Sequence, residues 1–238
     1  MNRKCASARL EEDNGRHESK RPAWMADYVE QKRNRLLILK EDGTLNSEIR
    51  LSSKTCNYPL DVTCIDDNTA AVTLPGLKQI LIINILTDTI ESIIETTSYC
   101  HGICYSDGHL FYCETGRGIQ KVNVSGSNSS TLVNDKTLFD WSYVTTSKDK
   151  IFYTNSSTDT VTCCTFTGEK IWEYKDKSVR STYGIAVDKD SNVYFTSCGS
   201  HSLIVLSSDG KQARKLLGKE DGIDKPFGLA FDVKKEVL

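Results

Sequence analysis

The sequence has no long hydrophobic run and no excess of one charge. Its longest apolar stretch, ILIINIL at 80–86, is far shorter than a membrane-spanning helix requires. The 30 Lys and Arg residues against 32 Asp and Glu residues leave a formal net charge of -2, which provides no general attraction to nucleic acid or an anionic membrane. We therefore expect neither a membrane nor DNA as a partner.

A secretory signal and a disulfide framework are also missing. The N-terminal residues are charged where a signal peptide would be apolar, and nine cysteines are an odd number spread thinly over 238 residues. These two features predict a reduced, cytoplasmic protein. Residues 1–22 mix both charge signs with few apolar residues, which predicts a disordered tail.

Motifs for metal binding and catalysis are scarce. The sequence contains no C-x-x-C pair, no nucleophile-elbow motif and no glycine loop for phosphate. Cysteine and histidine do gather between 100 and 113, but strand residues alternate between faces, and Cys104 occupies a place that alanine takes in other repeats. We expect these residues to pack in the core. The predictions are no metal, no cofactor, no small-molecule substrate and no enzymatic activity.

What the sequence does contain is a repeat. The segment YGIAVDKDSNVYFTS at 183–197 has counterparts with a similar pattern elsewhere in the chain. Each counterpart contains an anchor residue, here Gly184, that is followed by an apolar residue and then a small one. The anchors are spaced by 41, 41, 41 and 44 residues; they are Asp61, Gly102, Tyr143, Gly184 and Gly228. Gly126, Gly168 and Gly210, in the turns between third and fourth strands, share a spacing of 42 residues. Two independent landmarks therefore have nearly the same period.

Four short antiparallel strands recurring every 40–45 residues are typical of a β-propeller blade, whose faces are covered by neighbouring blades. A β-sandwich also has many short strands, but it gives no reason for equal spacing. We predict an all-β, six-bladed propeller over residues 23–238, with four complete blades and partial first and last blades. A five-bladed ring closed by pairing the two ends is the alternative. The predicted blades are 23–51, 58–95, 100–133, 141–174, 183–217 and a partial 226–238.

The last repeats carry a family resemblance. GIAVDKDSNVYFTS, then SLIVLSSDGKQARKLL and DKPFGLAFD, resemble the NHL repeat, and the region from Trp24 to Leu238 is similar to the NHL propeller of tripartite-motif (TRIM) proteins. The repeats at Asp61 and Tyr143 lack the glycine that usually opens this repeat. The resemblance implies a binding platform for proteins or structured RNA, within a family whose ubiquitin transfer belongs to an N-terminal RING and B-box. This chain has neither.

An aromatic residue stands one to three positions before every anchor. Because this is where the outer strand of one blade returns to the inner strand of the next, the pattern places five rings around one rim of the propeller. Such rings either anchor a partner or wedge between blades. The five are Tyr58, Tyr99, Trp141, Tyr183 and Phe227.

Basic residues in the connecting loops of the same face complete the candidate site, although carboxylates are interleaved with them. The selected residues are Lys78, Arg117, Lys175, Lys177 and Arg180. We predict a non-catalytic module that recognises a protein partner, as the substrate-recognition part of a TRIM-like ubiquitin ligase. RNA is the alternative partner, because lysine and arginine can also contact phosphates.

A metal-dependent lactonase-like enzyme is a further alternative, since propellers of that type hold a divalent cation at the channel mouth. Such a site needs several oxygen ligands from different blades. Among the five anchors, Asp61 alone is a carboxylate.

Overall fold

The computed structural model describes residues 4–6, 26–30, 34–40, 44–51 and 58–229. Twenty strands and two short 3-10 helices lie within these residues. None of the helices in the described ranges has the length and hydropathy needed to cross a membrane.

The strands form five antiparallel sheets of four strands, each following chain order, which confirms the predicted repeating unit. The first sheet comprises β1 (Lys4–Ala6), β2 (Ala26–Glu30), β3 (Arg35–Leu39) and β4 (Leu45–Arg50). The second comprises β5 (Val62–Cys64), β6 (Thr69–Leu74), β7 (Gln79–Asn84) and β8 (Thr89–Glu95). The third comprises β9 (Cys100–Ser106), β10 (His109–Glu114), β11 (Gly118–Asn123) and β12 (Ser130–Val133). The fourth comprises β13 (Val144–Ser147), β14 (Lys150–Asn155), β15 (Thr160–Thr165) and β16 (Lys170–Lys175). The fifth comprises β17 (Thr182–Val187), β18 (Val193–Ser197), β19 (Ser202–Leu206) and β20 (Ala213–Leu217).

The turns between third and fourth strands contain the glycines that the sequence pattern singled out. Gly126, Gly168 and Gly210 have φ angles of +80°, +87° and +72°. This left-handed conformation is open to glycine at little steric cost, whereas a Cβ atom there is disfavoured. The regular spacing of these glycines therefore reports a repeated backbone geometry.

The sheets stack in order through their first strands. β5 packs against β9, β9 against β13, and β13 against β17. The fourth sheet is covered on both faces: its Ile151 shares a core cluster with Phe111 of the third sheet, and its Phe152 shares another with Phe195 of the fifth. In the second to fifth sheets, the second and third strands are accordingly buried along most of their length, while the fourth strands are largely exposed.

Adjacent cysteines illustrate this two-faced burial. Cys163 belongs to the core cluster that contains Phe152, and Cys164 to the one that contains Ile151. Consecutive strand residues point to opposite faces, so the pair contributes to two different cores.

The described residues cover only parts of the two predicted end segments. β1 lies within the segment 1–22 that was predicted to be a disordered tail, and it pairs with β2 from Lys4 opposite Glu30 to Ala6 opposite Tyr28. Backbone pairing of this kind does not require an apolar composition. Residues 226–229 contain no strand, and the rest of the predicted partial blade 226–238 lies outside the described residues.

Candidate functional site

One face of the stacked sheets is formed by the links from each fourth strand to the next first strand, together with the turns between second and third strands. We call it the loop face. Residues 134–143, 176–181 and 218–229 are its longest fully described links. Every predicted site residue lies in these connections or directly beside them.

Three of the five predicted aromatic residues meet at the inner edge of the loop face, and we call them the aromatic cluster. The rings of Tyr183 and Phe227 stack with centroids 4.5 Å apart and planes 10° apart. The Trp141 ring stands edge-on to both, at 6.3 Å from Tyr183 and 5.7 Å from Phe227. All three side chains are half-buried, so the cluster still presents apolar surface to solvent.

Hydrogen bonds to the main-chain carbonyls of Phe227 and Tyr183 hold the cluster in place. The Gly184 N–H donates to the Phe227 carbonyl at 2.8 Å, and the Thr196 hydroxyl donates to the same oxygen at 2.8 Å. The Thr154 hydroxyl likewise donates to the Tyr183 carbonyl at 2.7 Å. A Cβ at Gly184 would stand 2.4 Å from the Phe227 oxygen, so glycine is what permits this close approach.

The backbone of Trp141 is strained. Its φ of +66° lies in the left-handed region, which is unusual for a bulky residue. Bonds on both sides impose this geometry: the Ser156 hydroxyl donates to the Asp140 carbonyl at 2.5 Å, and the Gly102 N–H donates to the Ser142 carbonyl at 2.9 Å. Strain of this kind persists only where the surroundings over-determine it.

The other two predicted rings, Tyr58 and Tyr99, are not part of the cluster. Each stands three residues before its anchor, which places it farther out in the link, and their exposed fractions are 51% and 48%. The Lys78 ammonium lies 5.9 Å from the Tyr99 ring centroid, in a cation–π arrangement. Phe139, 57% exposed in the link before Trp141, is an aromatic that sequence reasoning missed. A large apolar residue in a link rich in Asp, Lys and Thr was the available signal.

Arg117, a predicted binding residue, has a structural partner. Its Nε lies 3.0 Å from the Oε2 of Glu114, whose side chain is 1% exposed. The other Glu114 oxygen accepts the Ser98 N–H at 2.7 Å. Arg117 therefore compensates a buried carboxylate that joins two loops, although part of its guanidinium remains at the surface.

Lys175, at the end of β16, and Lys177 and Arg180, in the link that leads to Tyr183, are exposed. Among the described residues, no carboxylate forms an ion pair with any of the three. Asp176 lies between them in sequence but accepts the Ser178 N–H at 2.7 Å and the Ser178 hydroxyl at 2.6 Å. These bonds lower the pKa of Asp176, because they favour its charged form.

His101 is a buried imidazole that contacts the link before Trp141. Its Nε2 lies 2.7 Å from the Thr115 hydroxyl oxygen and 3.3 Å from an Asp140 carboxylate oxygen. Burial lowers the pKa of His101 to about 4 against the opposing effect of Asp140, so the ring is neutral at pH 7. A catalytic relay uses both ring nitrogens, one toward each partner. Both partners here share Nε2, an arrangement that joins the loops and does not form such a relay.

Asp61, the one anchor carboxylate, links the second sheet to the third. Its Oδ2 accepts the Ile103 N–H at 2.8 Å, and its Oδ1 accepts the Val62 N–H at 3.0 Å. The residue is 4% exposed, and burial raises the pKa of Asp61 to about 7 although both bonds lower it. Its carboxylate thus takes the place of a main-chain acceptor between sheets.

No three His, Cys, Asp or Glu side chains of the described residues converge as ligands for one metal ion. Within 100–113, the Cys100, Cys104 and Cys113 side chains are buried. Burial raises the pKa of Cys100 to about 12, which disfavours the thiolate that binds metals. His109 lies at a turn, where its Nδ1 is 2.8 Å from the Asp107 carbonyl.

No protein-family model matches this sequence, and no curated protein matches it. Solved structures resemble its fold. A nidogen/laminin complex matches with a TM-score of 0.74 and 14% identity over 87% of this chain and 80% of that one. A streptogramin B lyase matches with a TM-score of 0.69 and 18% identity, over 87% of this chain and 69% of that one.

A catalytically inactive virginiamycin B lyase from Staphylococcus aureus, determined with quinupristin, matches with a TM-score of 0.69 and 15% identity. That match covers 98% of this chain and 78% of the lyase chain. Both binding proteins and enzymes are thus among the similar structures, and identities this low establish the fold alone. The chain is an all-β protein of the β-propeller type, built from repeated four-stranded sheets.

Proposed function

We propose that this chain is a non-catalytic recognition module that binds a protein partner through the loop face. The aromatic cluster is the observation that carries the proposal. Three half-buried rings from three successive repeats are held by backbone bonds, and one of them has a strained backbone. Rigid aromatic side chains lose little conformational entropy on binding and dominate the energetics of protein interfaces.

The similar structures support a binding role and leave an enzymatic one open. The first-named match is a complex between two proteins, nidogen and laminin. The lyases share the fold, but the described residues contain neither a converging set of metal ligands nor a histidine with partners on both ring nitrogens. These observations favour recognition over catalysis.

The finer parts of the proposal rest on the NHL resemblance. We propose a cytoplasmic, NHL-type propeller that recognises substrates for a TRIM-like ubiquitin ligase. We also propose six blades. The Phe227 carbonyl accepts the Gly184 N–H, just as the Ser142 carbonyl, immediately before the fourth sheet, accepts the Gly102 N–H. Residues 227–229 would then begin a sixth blade.

Selection from a displayed library of short random peptides tests the binding role. The immobilised wild-type chain should enrich peptides whose affinity falls by about 30-fold in Trp141→Ala, the loss of a central aromatic anchor of about 2 kcal/mol. Leu86→Ala is the matched control, since Leu86 is 69% exposed in a turn between third and fourth strands, away from the loop face. Peptides that bind both variants and the wild type equally would refute the role of the cluster.

A filter-binding series with structured RNA at increasing salt tests the alternative partner. Tight RNA binding that weakens steeply with salt, and that is lost in Lys175→Glu, would favour RNA over protein.

A further inference from the structure

The carboxylates of the loop face accept hydrogen bonds from other residues of the protein. Asp135 accepts the Thr137 N–H at 2.9 Å and the Thr137 hydroxyl at 2.6 Å. Asp159 accepts the Ser181 N–H at 2.5 Å. Together with Asp140 beside His101 and Asp176 beside Ser178, these side chains shape the links on both sides of the aromatic cluster.

The same holds in the link after the fifth sheet. Asp221 accepts the Gly218 N–H at 2.9 Å, Glu220 accepts the Lys215 ammonium at 2.5 Å, and Asp224 lies 2.8 Å from a His201 ring nitrogen. The acidic residues that alternate with basic ones in the sequence therefore have their acceptor atoms at least partly occupied.

The basic side chains beside the aromatic cluster differ from the carboxylates, because their N–H donors have no partner within the described residues. Lys136, Lys175, Lys177 and Arg180 are exposed, and within the part of the chain that the structure describes none of them forms an ion pair or a side-chain hydrogen bond. Lys136 lies in the link to Trp141, Lys177 and Arg180 lie in the link to Tyr183, and Lys175 ends the strand before that link. The unoccupied donors thus flank the aromatic cluster in two neighbouring links.

The carboxylates keep their negative charge, so the asymmetry lies in free hydrogen-bonding capacity, and this capacity favours an anionic ligand. An incoming carboxylate meets four cations whose N–H donors point into solvent, and charge-assisted bonds to such donors are the stronger kind. An incoming ammonium or guanidinium meets carboxylates that already accept bonds from the protein and must compete with them. Electrostatic complementarity of this kind determines partner choice and association rate more than it determines affinity.

The cluster geometry favours a peptide over single-stranded nucleic acid. Stacking of bases requires exposed ring faces. Tyr183 and Phe227 cover one face of each other at 4.5 Å, and Trp141 stands edge-on to both. What remains is an apolar patch that suits one aromatic or large aliphatic side chain.

We infer that the loop face binds an acidic segment of a protein partner, with one aromatic or aliphatic side chain of that segment packed on Trp141, Tyr183 and Phe227. The carboxylates of the segment then contact Lys136, Lys175, Lys177 and Arg180. This inference rests on the proposed recognition function and specifies the chemistry of the partner.

The composition of peptides enriched from the random library is the first test. We expect net-negative sequences with one conserved aromatic or aliphatic position. For an enriched peptide, fluorescence anisotropy should show affinity reduced by about tenfold in Lys175→Glu/Lys177→Glu, with a weaker salt dependence. Lys148→Glu/Lys211→Glu is the matched control, because it makes the same charge change in exposed turns away from the loop face and should alter affinity by less than about twofold.

Enriched peptides that are neutral or basic, yet still depend on Trp141, would overturn this inference and leave the proposed function standing. Enrichment that does not depend on Trp141 would overturn both. An RNA oligonucleotide that displaces the peptide and binds more tightly, with the same loss in Lys175→Glu/Lys177→Glu, would assign the cations to phosphate recognition and refute the acidic-segment inference.

Discussion

Replacing Asp61 by asparagine should remove a pH dependence from the stability of the protein. Asp61 is 4% exposed and bridges two sheets by accepting the Ile103 and Val62 N–H groups. Burial raises its pKa from 3.8 to about 7 in the folded state. The folded protein therefore binds a proton at Asp61 over a pH range in which the unfolded chain does not.

The sign and size of this pH dependence follow from the linkage between proton binding and folding. When the folded state holds the extra proton, the free energy of unfolding falls as pH rises. The contribution of Asp61 is fully present below pH 3.8 and is lost as pH rises to about 7. One pKa unit corresponds to about 1.36 kcal/mol, so the two units between pH 5 and pH 7 predict a loss of about 3 kcal/mol. In Asp61→Asn this loss is absent.

Urea unfolding followed by circular dichroism at pH values from 5 to 8 measures the effect. The wild-type free energy of unfolding minus that of Asp61→Asn should fall by about 3 kcal/mol over this window. Asp209→Asn is the control: hydrogen bonds from Ser207 and Lys211 lower the pKa of Asp209, so this group is ionised in both states throughout. If the difference in free energy of unfolding between the wild type and Asp61→Asn does not change with pH, the two N–H donors outweigh burial, and the reasoning is refuted.

Three further substitutions test the contacts around the site by urea unfolding. Arg117→Ala should destabilise the protein by about 2 kcal/mol, because it leaves the buried Glu114 carboxylate without its cation. Trp141→Gly should be more stable than Trp141→Ala by about 1 kcal/mol, since only glycine avoids the steric cost of the left-handed backbone. Gly184→Ala should cost about 2 kcal/mol, because the new Cβ would stand 2.4 Å from the Phe227 oxygen.

Each substitution has a control on the same chain. Lys78→Ala removes an exposed loop-face cation whose ring contact with Tyr99 is itself exposed, so it should cost less than Arg117→Ala. Gly108→Ala introduces a Cβ with no atom within 4 Å, although its φ of +76° carries a backbone cost. Equal losses for Gly184→Ala and Gly108→Ala would contradict the close-approach argument. Equal stability of the two Trp141 variants would contradict the strain argument.

The repeat unit was predictable because it depends on local chemistry. Apolar runs, alternation with small residues, and glycine at Gly126, Gly168 and Gly210 are requirements of strands and turns that recur wherever the same backbone geometry recurs. β1 was not predictable, because three residues that pair through main-chain groups leave no mark on composition.

The candidate site was only partly predictable. The position before each anchor selected Trp141, Tyr183 and Phe227, whose rings meet in the structure, and it also selected Tyr58 and Tyr99, which lie apart from them. Spacing along the chain identifies the link in which a residue lies. It does not determine the distance between that residue's side chain and the first strand, which depends on the path of the link.

The sequence by itself determined a chain of equal four-stranded units, since period and turn chemistry are encoded residue by residue. Only the tertiary structure decided which side chains meet: that Tyr183 and Phe227 stack with Trp141 edge-on to both, that Arg117 is tied to Glu114, and that the carboxylates of the loop face are occupied while Lys175 and Lys177 are not. For the aromatic cluster the physical reason is that the ring contacts join residues from different repeats. Their distances depend on how neighbouring sheets pack, which no local pattern specifies.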